Sequence, residues 1–251
     1  MLSPSGSPVV EASGVCRTFG RRRAVDGVDL SLAAGESLAL FGPNGAGKTT
    51  LLKLIAGLLA PTSGTVRVLG RALRSEAASR ASIGLISHQS MLYRALTAVE
   101  NVEFAAKLYG VDAPRDAAMG ALERMRVADR ARTPVRALSR GLQQRVAIAR
   151  SIVHQPALLL LDEPYTGLDA AGAAALTDML RELRDARATL VLVTHNVDEG
   201  LAVASRAIIM LDGRFVREDD CAALDAAAYR AAYRAMVVGE VASPWTMSVS
   251  A

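Results

Sequence analysis

Nine consecutive residues, Gly42-Pro43-Asn44-Gly45-Ala46-Gly47-Lys48-Thr49-Thr50, narrow the folds open to this chain more than any other stretch. They follow the apolar run Ser37-Leu38-Ala39-Leu40-Phe41 and precede Leu51, Leu52, Leu54, Ile55 and Leu58. A short buried strand thus enters a glycine-rich loop and an amphipathic helix leaves it. In that setting G-x-x-x-x-G-K-[ST] is a phosphate cradle. Gly42, Gly45 and Gly47 let the backbone curl so that its N–H groups point inward at a β-phosphate. The helix that follows adds the positive end of its dipole to the same spot. Lys48 can reach the β- and γ-phosphates, and the Thr49 hydroxyl can ligate the Mg²⁺ that bridges them. A glycine-rich turn with an exposed lysine would need neither the full spacing nor the strand before it. The loop, completed by Pro43, Asn44, Ala46 and Thr50, is read as the site of a nucleoside triphosphate.

A chain of 251 residues can form one large α/β domain or a domain with a subdomain. Apolar residues are 51% and aromatic ones only 4%, so the core is expected to be aliphatic. The net charge of +4 would permit a nucleic-acid partner. The arginines are scattered among acids and few aromatics are available for base stacking, which argues for a solvated surface and no nucleic acid. Arg21-Arg22-Arg23 is the one tight basic cluster, and a polar hairpin tip accounts for it without a ligand. Cys16 and Cys221 have neither metal nor redox spacing and fit a reducing compartment. Residues 1–8 lack the basic and apolar regions of a signal peptide and read as a loose tail. No apolar run is long enough to span a bilayer, so any spanning part must come from another chain.

From Val9 to Leu32 a strand-like pattern interrupted by Gly14, Gly20 and Gly27 predicts a small antiparallel sheet. Thr65 to Leu69 and Ile83 to Ile86 read as further strands, the latter running into Ser87-His88-Gln89. The texture then becomes helical. Thr97 and Glu100 form a capping box ahead of a helix through Val102, Phe104, Ala105 and Leu108. Asp112 and Pro114 open another, with Leu122 and Met125 on its apolar face. Ser139 can cap a third that carries Val146, Ile148, Ala149 and Ile152. Strand and helix alternate again after Pro156: Leu158–Leu161, a helix through Leu176 and Leu183, Thr189–Thr194, a short helix boxed by Asn196 and Glu199, and Ala207–Leu211. That alternation implies a parallel sheet covered by helices. Asp212-Gly213 turns into Arg214-Phe215-Val216. Ala222–Val237 reads as an alanine-rich helix, and the segment with Trp245 shows no period.

Leu158-Leu159-Leu160-Leu161-Asp162-Glu163 delivers two carboxylates at the carboxyl end of a buried strand, where open α/β sheets bind ligands. Asp162 is placed to hold Mg²⁺ as the acidic partner of Thr49, and Glu163 to polarise an attacking water. Upstream lies Leu138-Ser139-Arg140-Gly141-Leu142-Gln143-Gln144-Arg145 at a helix start. With these pieces the chain resembles the ATP-binding cassette ATPases over nearly its whole length to Val216. The ordered set is the loop at Gly42–Thr49, Gln89 after a strand, the signature at Leu138–Gln143, Asp162-Glu163, the Gly167-Leu168-Asp169 turn, and Thr194-His195 at a strand end.

The resemblance implies a P-loop NTPase fold: a RecA-like parallel α/β core with an antiparallel β-subdomain and a helical insertion over about residues 90–155. The ATPase domain would cover 9–216, followed by a C-terminal helix and tail at 217–251. It implies a two-subunit machine in which ATP lies between the loop of one cassette and the signature of a second, with Ser139 and the Gly141 backbone facing the γ-phosphate from across the interface. His195 would contact the γ-phosphate and help position the water for Glu163. Gln89 would touch Mg²⁺ or the water. Phe19 falls where the family stacks an aromatic on adenine, and an ordinary core phenylalanine is the competing reading. Asp169 would lie near the seam between cassettes, though it also suits a helix cap. Membership further implies a multi-span membrane subunit on a separate chain and a peripheral place on the cytoplasmic face of the bacterial inner membrane.

Arg140 and Leu142 stand where the common signature has Gly and Gln. This variant signature is similar to that of the ATPase subunit of the haem exporter of bacterial cytochrome c maturation. So are Ser87–Tyr93, Leu96-Thr97 with Glu100-Asn101, and Leu108–Val111. Haem-handling maturation proteins would then be further partners. His88 and His154 are not spaced as metal ligands and no Cys-x-x-Cys-His attaches haem, so haem would be handled by those partners. The alternatives are an ATPase of another small-molecule or multidrug exporter, a soluble cassette ATPase acting on nucleic acid, and a P-loop kinase or GTPase, which the Ser139–Gln143 match disfavours.

Overall fold

A computed structural model describes residues 7–72, 80–87 and 91–241. Strands Val10–Phe19 (β1) and Arg22–Leu32 (β2) pair antiparallel across a turn at Gly20 and Arg21. Val10, Ala12 and Val15 on one, and Val28, Leu30 and Leu32 on the other, are buried, while charged neighbours face out, the period-two pattern of a half-buried sheet. The chain next lays down Ser37–Phe41 (β3) and the helix Lys48–Ile55 (α1). Ser63–Val68 (β4) and Arg71–Ala72 (β5) return to the hairpin and complete a four-stranded sheet in the order β2-β1-β4-β5.

The second sheet contains β3 together with Ile83–Ile86 (β6), Leu158–Asp162 (β7), Thr189–Val193 (β8), Arg206–Leu211 (β9) and Arg214–Asp220 (β10). Its order is β10-β9-β3-β8-β7-β6, parallel throughout except for β10 on the edge. Every residue of β3, β7 and β8 is buried, because both faces of the sheet are covered. That is why these strands read as unbroken apolar runs. Leu38, Leu40, Leu158, Leu160 and Val193 pack toward α1 and the antiparallel sheet. Leu159, Leu161, Leu190 and Leu192 pack toward helices on the opposite face.

Those helices are Ala98–Leu108 (α2), Pro114–Arg124 (α3), Arg140–Ile152 (α4) and Ala170–Asp185 (α5). The capping box is present: the Glu100 N–H donates to the Thr97 hydroxyl and the Thr97 N–H to the Glu100 carboxylate. The buried stripe of α2 is Ala98, Val99, Val102, Ala105 and Ala106, so Phe104 and Leu108 fall off it and face solvent. Asp112 does not cap α3. That place is taken by Ala113, in left-handed conformation with φ 45°, and Pro114 fills the first turn.

A short helix, Val197–Leu201 (α6), follows β8, and the chain ends its described part in Ala226–Val241 (α7). Asn196 caps α6 with its side chain, but its own N–H goes to the Thr194 hydroxyl, so the expected reciprocal box with Glu199 is replaced by a local turn. A 3-10 turn at Cys221–Ala223, capped by Asp220, delays α7 to Ala226. β10 continues to Asp220, past the expected domain end at Val216. α7 then buries Tyr229 against Phe41, ring centroids 5.9 Å apart, so the segment after 216 is packed onto the core sheet. Residues 1–6 of the tail expected at 1–8, His88 and Gln89, and Trp245 lie outside the described residues.

Candidate functional site

Sheet register sets the site. Leu40 of β3 lies opposite Val193 of β8, which in turn lies opposite Asp162 of β7. The loops starting at Gly42, Thr194 and Glu163 therefore leave one edge of the sheet at one level, the carboxyl edge where parallel sheets bind ligands.

The loop after β3 is held in a conformation only glycine supplies. A Cβ on Gly42 would lie 2.3 Å from the Met210 carbonyl oxygen and one on Gly47 2.1 Å from that of Ala24, with φ of 153° and 106°. Gly47 is the N-cap of α1 and offers no side chain, so no side-chain cap takes up the N–H groups of the first turn. Lys48 is buried and its ammonium donates to the carbonyls of Gly42 (2.7 Å) and Pro43 (2.9 Å). Burial pulls the Lys48 pKa below the usual lysine value, while the Glu163 and Asp162 carboxylates act in the opposite sense. The Thr49 hydroxyl donates to Asp162 Oδ1 across 3.0 Å, joining α1 to β7. Two hard oxygen donors thus meet beside the cradle, on a carboxylate that is only 3% exposed, a donor set that suits Mg²⁺.

Glu163 is held with φ 50°, unusual for a residue with a side chain, by its N–H bond to the Val193 carbonyl (2.9 Å). Its carboxylate Oε2 lies 2.9 Å from His195 Nδ1. An ionised carboxylate oxygen can only accept, so this contact puts the imidazole proton on Nδ1 and leaves Nε2 for another partner. The Thr194 hydroxyl donates to Glu199, whose pKa is raised by burial.

A cavity of about 460 Å³ joins these groups to the antiparallel sheet; Phe19, Arg22, Asn44, Lys48, Thr49 and Glu163 are among its walls. Phe19 is 45% exposed, which excludes the core reading, and the Arg17 guanidinium covers one ring face at 4.5 Å. Arg22 stands apart from the rest of the arginine cluster. Arg23 pairs with Asp26, but the Arg22 guanidinium turns to the Gly45 carbonyl (2.6 Å) at the cavity edge. Phe41, directly before the loop, meets Tyr229 and Tyr233 of α7. Neither the Arg22 contact with the loop nor the Tyr233 contact with Phe41 was legible in the sequence, because each comes from a separate element.

Ser139 and Gly141 line a different concavity, with Arg140, Leu168 and Asp169. The Arg140 guanidinium lies against Gly167, where an added Cβ would be 2.8 Å from Nη1. Asp169 caps α5 by accepting the Gly172 N–H (2.7 Å). This concavity shares no wall residue with the first. Gln89 falls outside the described residues.

The sequence model of the family described as ABC transporter matches residues 25–166. The chain belongs to the ABC transporter family. It is an ATP-hydrolysing, ATP-binding subunit of the kind that serves import and export systems. It is 32% identical over 215 residues to the Nod factor export ATP-binding protein I of Ralstonia nicotianae, covering 84% of this chain and 67% of that one. It is 41% identical over 209 residues to the aliphatic sulfonates import ATP-binding protein SsuB of Pseudomonas putida, covering 83% and 74%. Among solved structures, the dimeric ATP-binding cassette MJ0796 bound to ADP and Pi superposes with a TM-score of 0.76 at 29% identity, covering 84% of this chain and 98% of that one. Among the described residues no helix is long and apolar enough to cross a membrane.

Proposed function

We propose that this ABC ATPase works as one of two cassettes docked on a separate membrane subunit, at the inner face of a bacterial membrane. The observation that carries the mechanism is the convergence, at one sheet edge, of Lys48, the Thr49–Asp162 pair and the Glu163–His195 pair. The cradle N–H groups and Lys48 bind the β- and γ-phosphates. Thr49 and Asp162 would hold Mg²⁺, which neutralises phosphate charge when bound. Glu163 accepts a proton from the attacking water, and His195 fixes the carboxylate through Nδ1 while Nε2 faces the γ-phosphate. Gln89 is assigned to the same water or ion. Phe19 presents its free face to the adenine. The Ser139–Gly141 concavity serves the phosphates held by the second cassette, as a further helix N-terminus at the seam.

The place for the membrane subunit is the groove between α2, α4 and β6, lined by Leu58, Arg80, Met91, Tyr109, Arg150 and His154. Leu58 and Met91 are more than half exposed. Neither Arg80 nor Arg150 has a carboxylate partner among the described residues, so the groove suits an amphipathic helix that brings an acidic side chain. For the cargo, the variant signature at Leu138–Arg145 supports the haem exporter of cytochrome c maturation. The two relatives named above carry other cargoes in their names, Nod factor and sulfonates.

The test is to recover the tagged protein from gently solubilised native membranes, with and without ATP, and identify the chains that come with it. A small multi-span subunit with haem-handling maturation proteins is expected. An unrelated permease would retain the ATPase mechanism and discard the haem reading, and recovery of no membrane protein would discard the transport role.

A further inference from the structure

The antiparallel hairpin brings a second cation to the nucleotide cavity. Of the three successive arginines, Arg23 is tied within the hairpin to Asp26, which also binds Arg214 of β10. Arg22 is different. Its Nη2 donates to the Gly45 carbonyl at 2.6 Å, and among the described residues it has no carboxylate partner. Gly45, with φ 89°, directs that carbonyl outward, and a Cβ there would stand 3.0 Å from Arg22 Nη2. The guanidinium is anchored by one edge and keeps its other N–H groups free over the cavity, whose other lining cation is Lys48.

Position decides what those N–H groups meet. Phe19 and Arg22 are cross-strand partners in the hairpin, and the Arg22 guanidinium is bonded to Gly45 of the loop that carries Gly47, Lys48 and Thr49, so Arg22 links the Phe19 and cradle parts of the cavity wall. A nucleotide with its base on Phe19 and its β- and γ-phosphates in the cradle must run its α-phosphate past Arg22. We infer that Arg22 is a nucleotide-binding residue that contacts the α-phosphate, so that cassette affinity depends on the hairpin as well as on the loop. The inference rests on the nucleotide lying in this cavity. A guanidinium suits the task because it can hold Gly45 with one edge and a phosphate oxygen with another.

Displacement of a fluorescent ATP analogue by ATP, ADP, AMP and adenosine tests this with the full chain and its Arg22→Ala and Arg22→Lys variants. Arg22→Ala is expected to weaken ATP, ADP and AMP alike, by about tenfold for loss of a charge-assisted contact, and to leave adenosine unchanged. Arg22→Lys keeps the charge and recovers part of the loss. A loss confined to ATP and ADP would overturn the inference, because it would mean that Arg22 only buttresses Gly45 in the cradle. Unchanged affinity for all four compounds would overturn it equally. A wild-type chain that binds none of them would strike at the cavity assignment instead.

Discussion

Two helix N-termini in this molecule are assigned above to phosphate, and they are finished differently. α1 begins at Gly47, which offers no cap, and its first residue is a buried lysine. Around it the same chain supplies Asp162, Glu163 and His195. α4 begins at Ser139, whose hydroxyl accepts the Leu142 N–H, and its start is pinned by the Gln143 amide on the carbonyls of Val135 and Leu138. The carboxylate that lines its concavity, Asp169, is occupied in capping α5. On the proposed assignment the first terminus is the reaction centre and the second a preformed binding surface, whose lining carboxylate Asp169 is already engaged. On that same assignment, a cassette with one of each takes the surface of a second cassette to close over its own centre.

The largest break in that contrast is expected at α1. Lys48→Ala should abolish ATP binding measured by equilibrium displacement. Glu163→Gln should keep binding but lower turnover by roughly 10²–10⁴-fold, the scale of a lost general base, and accumulate a nucleotide-bound dimer on gel filtration. Normal hydrolysis in that variant would remove Glu163 from the role.

A smaller effect should appear at α4. Ser139→Ala should leave the ATP affinity of the isolated chain unchanged, cost about 1 kcal/mol of stability through the lost cap, and reduce the dimer trapped by Glu163→Gln. If the trapped dimer forms as readily, α4 does not complete a partner's site.

The smallest effect concerns the far end of α4. His154 stacks on Tyr109 with centroids 3.8 Å apart, contacts the Ile83 carbonyl, and has its pKa lowered by burial, with Arg150 pushing the same way. The folded pKa lies below that of the unfolded chain, so the unfolded state takes up the proton first as pH falls. Stability is fully present above about pH 6.5 and declines below it. His154→Phe, which preserves the stack, should flatten the denaturation midpoint between about pH 7 and about pH 5. An unchanged pH slope would show that His154 does not contribute.

The comparison also explains what the sequence reveals. Lys48, Thr49, Asp162 and Glu163 sit in short contiguous patterns tied to strand ends, so spacing alone places them on one edge. The capping box at Thr97 and the cap at Ser139 are equally local. Arg22, Phe41 and Tyr233 escape because their importance lies in contacts between elements far apart in the chain. Phe104 and Leu108 mislead for a related reason: an apolar residue near a helical stripe does not belong to it unless it keeps the spacing. The reciprocal box at Asn196 fails because Thr194, just before it, competes for the same N–H.

Phe41 carries a last consequence. A Cβ on Gly200 would lie 2.4 Å from its ring, so α6, which follows His195, is seated directly on it; from α7, Tyr229 and Tyr233 pack on the same ring. Arg230 of α7 also pairs with Asp198 of α6. The loop, the histidine segment and the C-terminal helix therefore share one mount, and thermodynamic linkage makes that sharing reciprocal. Whatever free energy α7 contributes to fixing Gly42 for a nucleotide, the nucleotide returns to the attachment of α7.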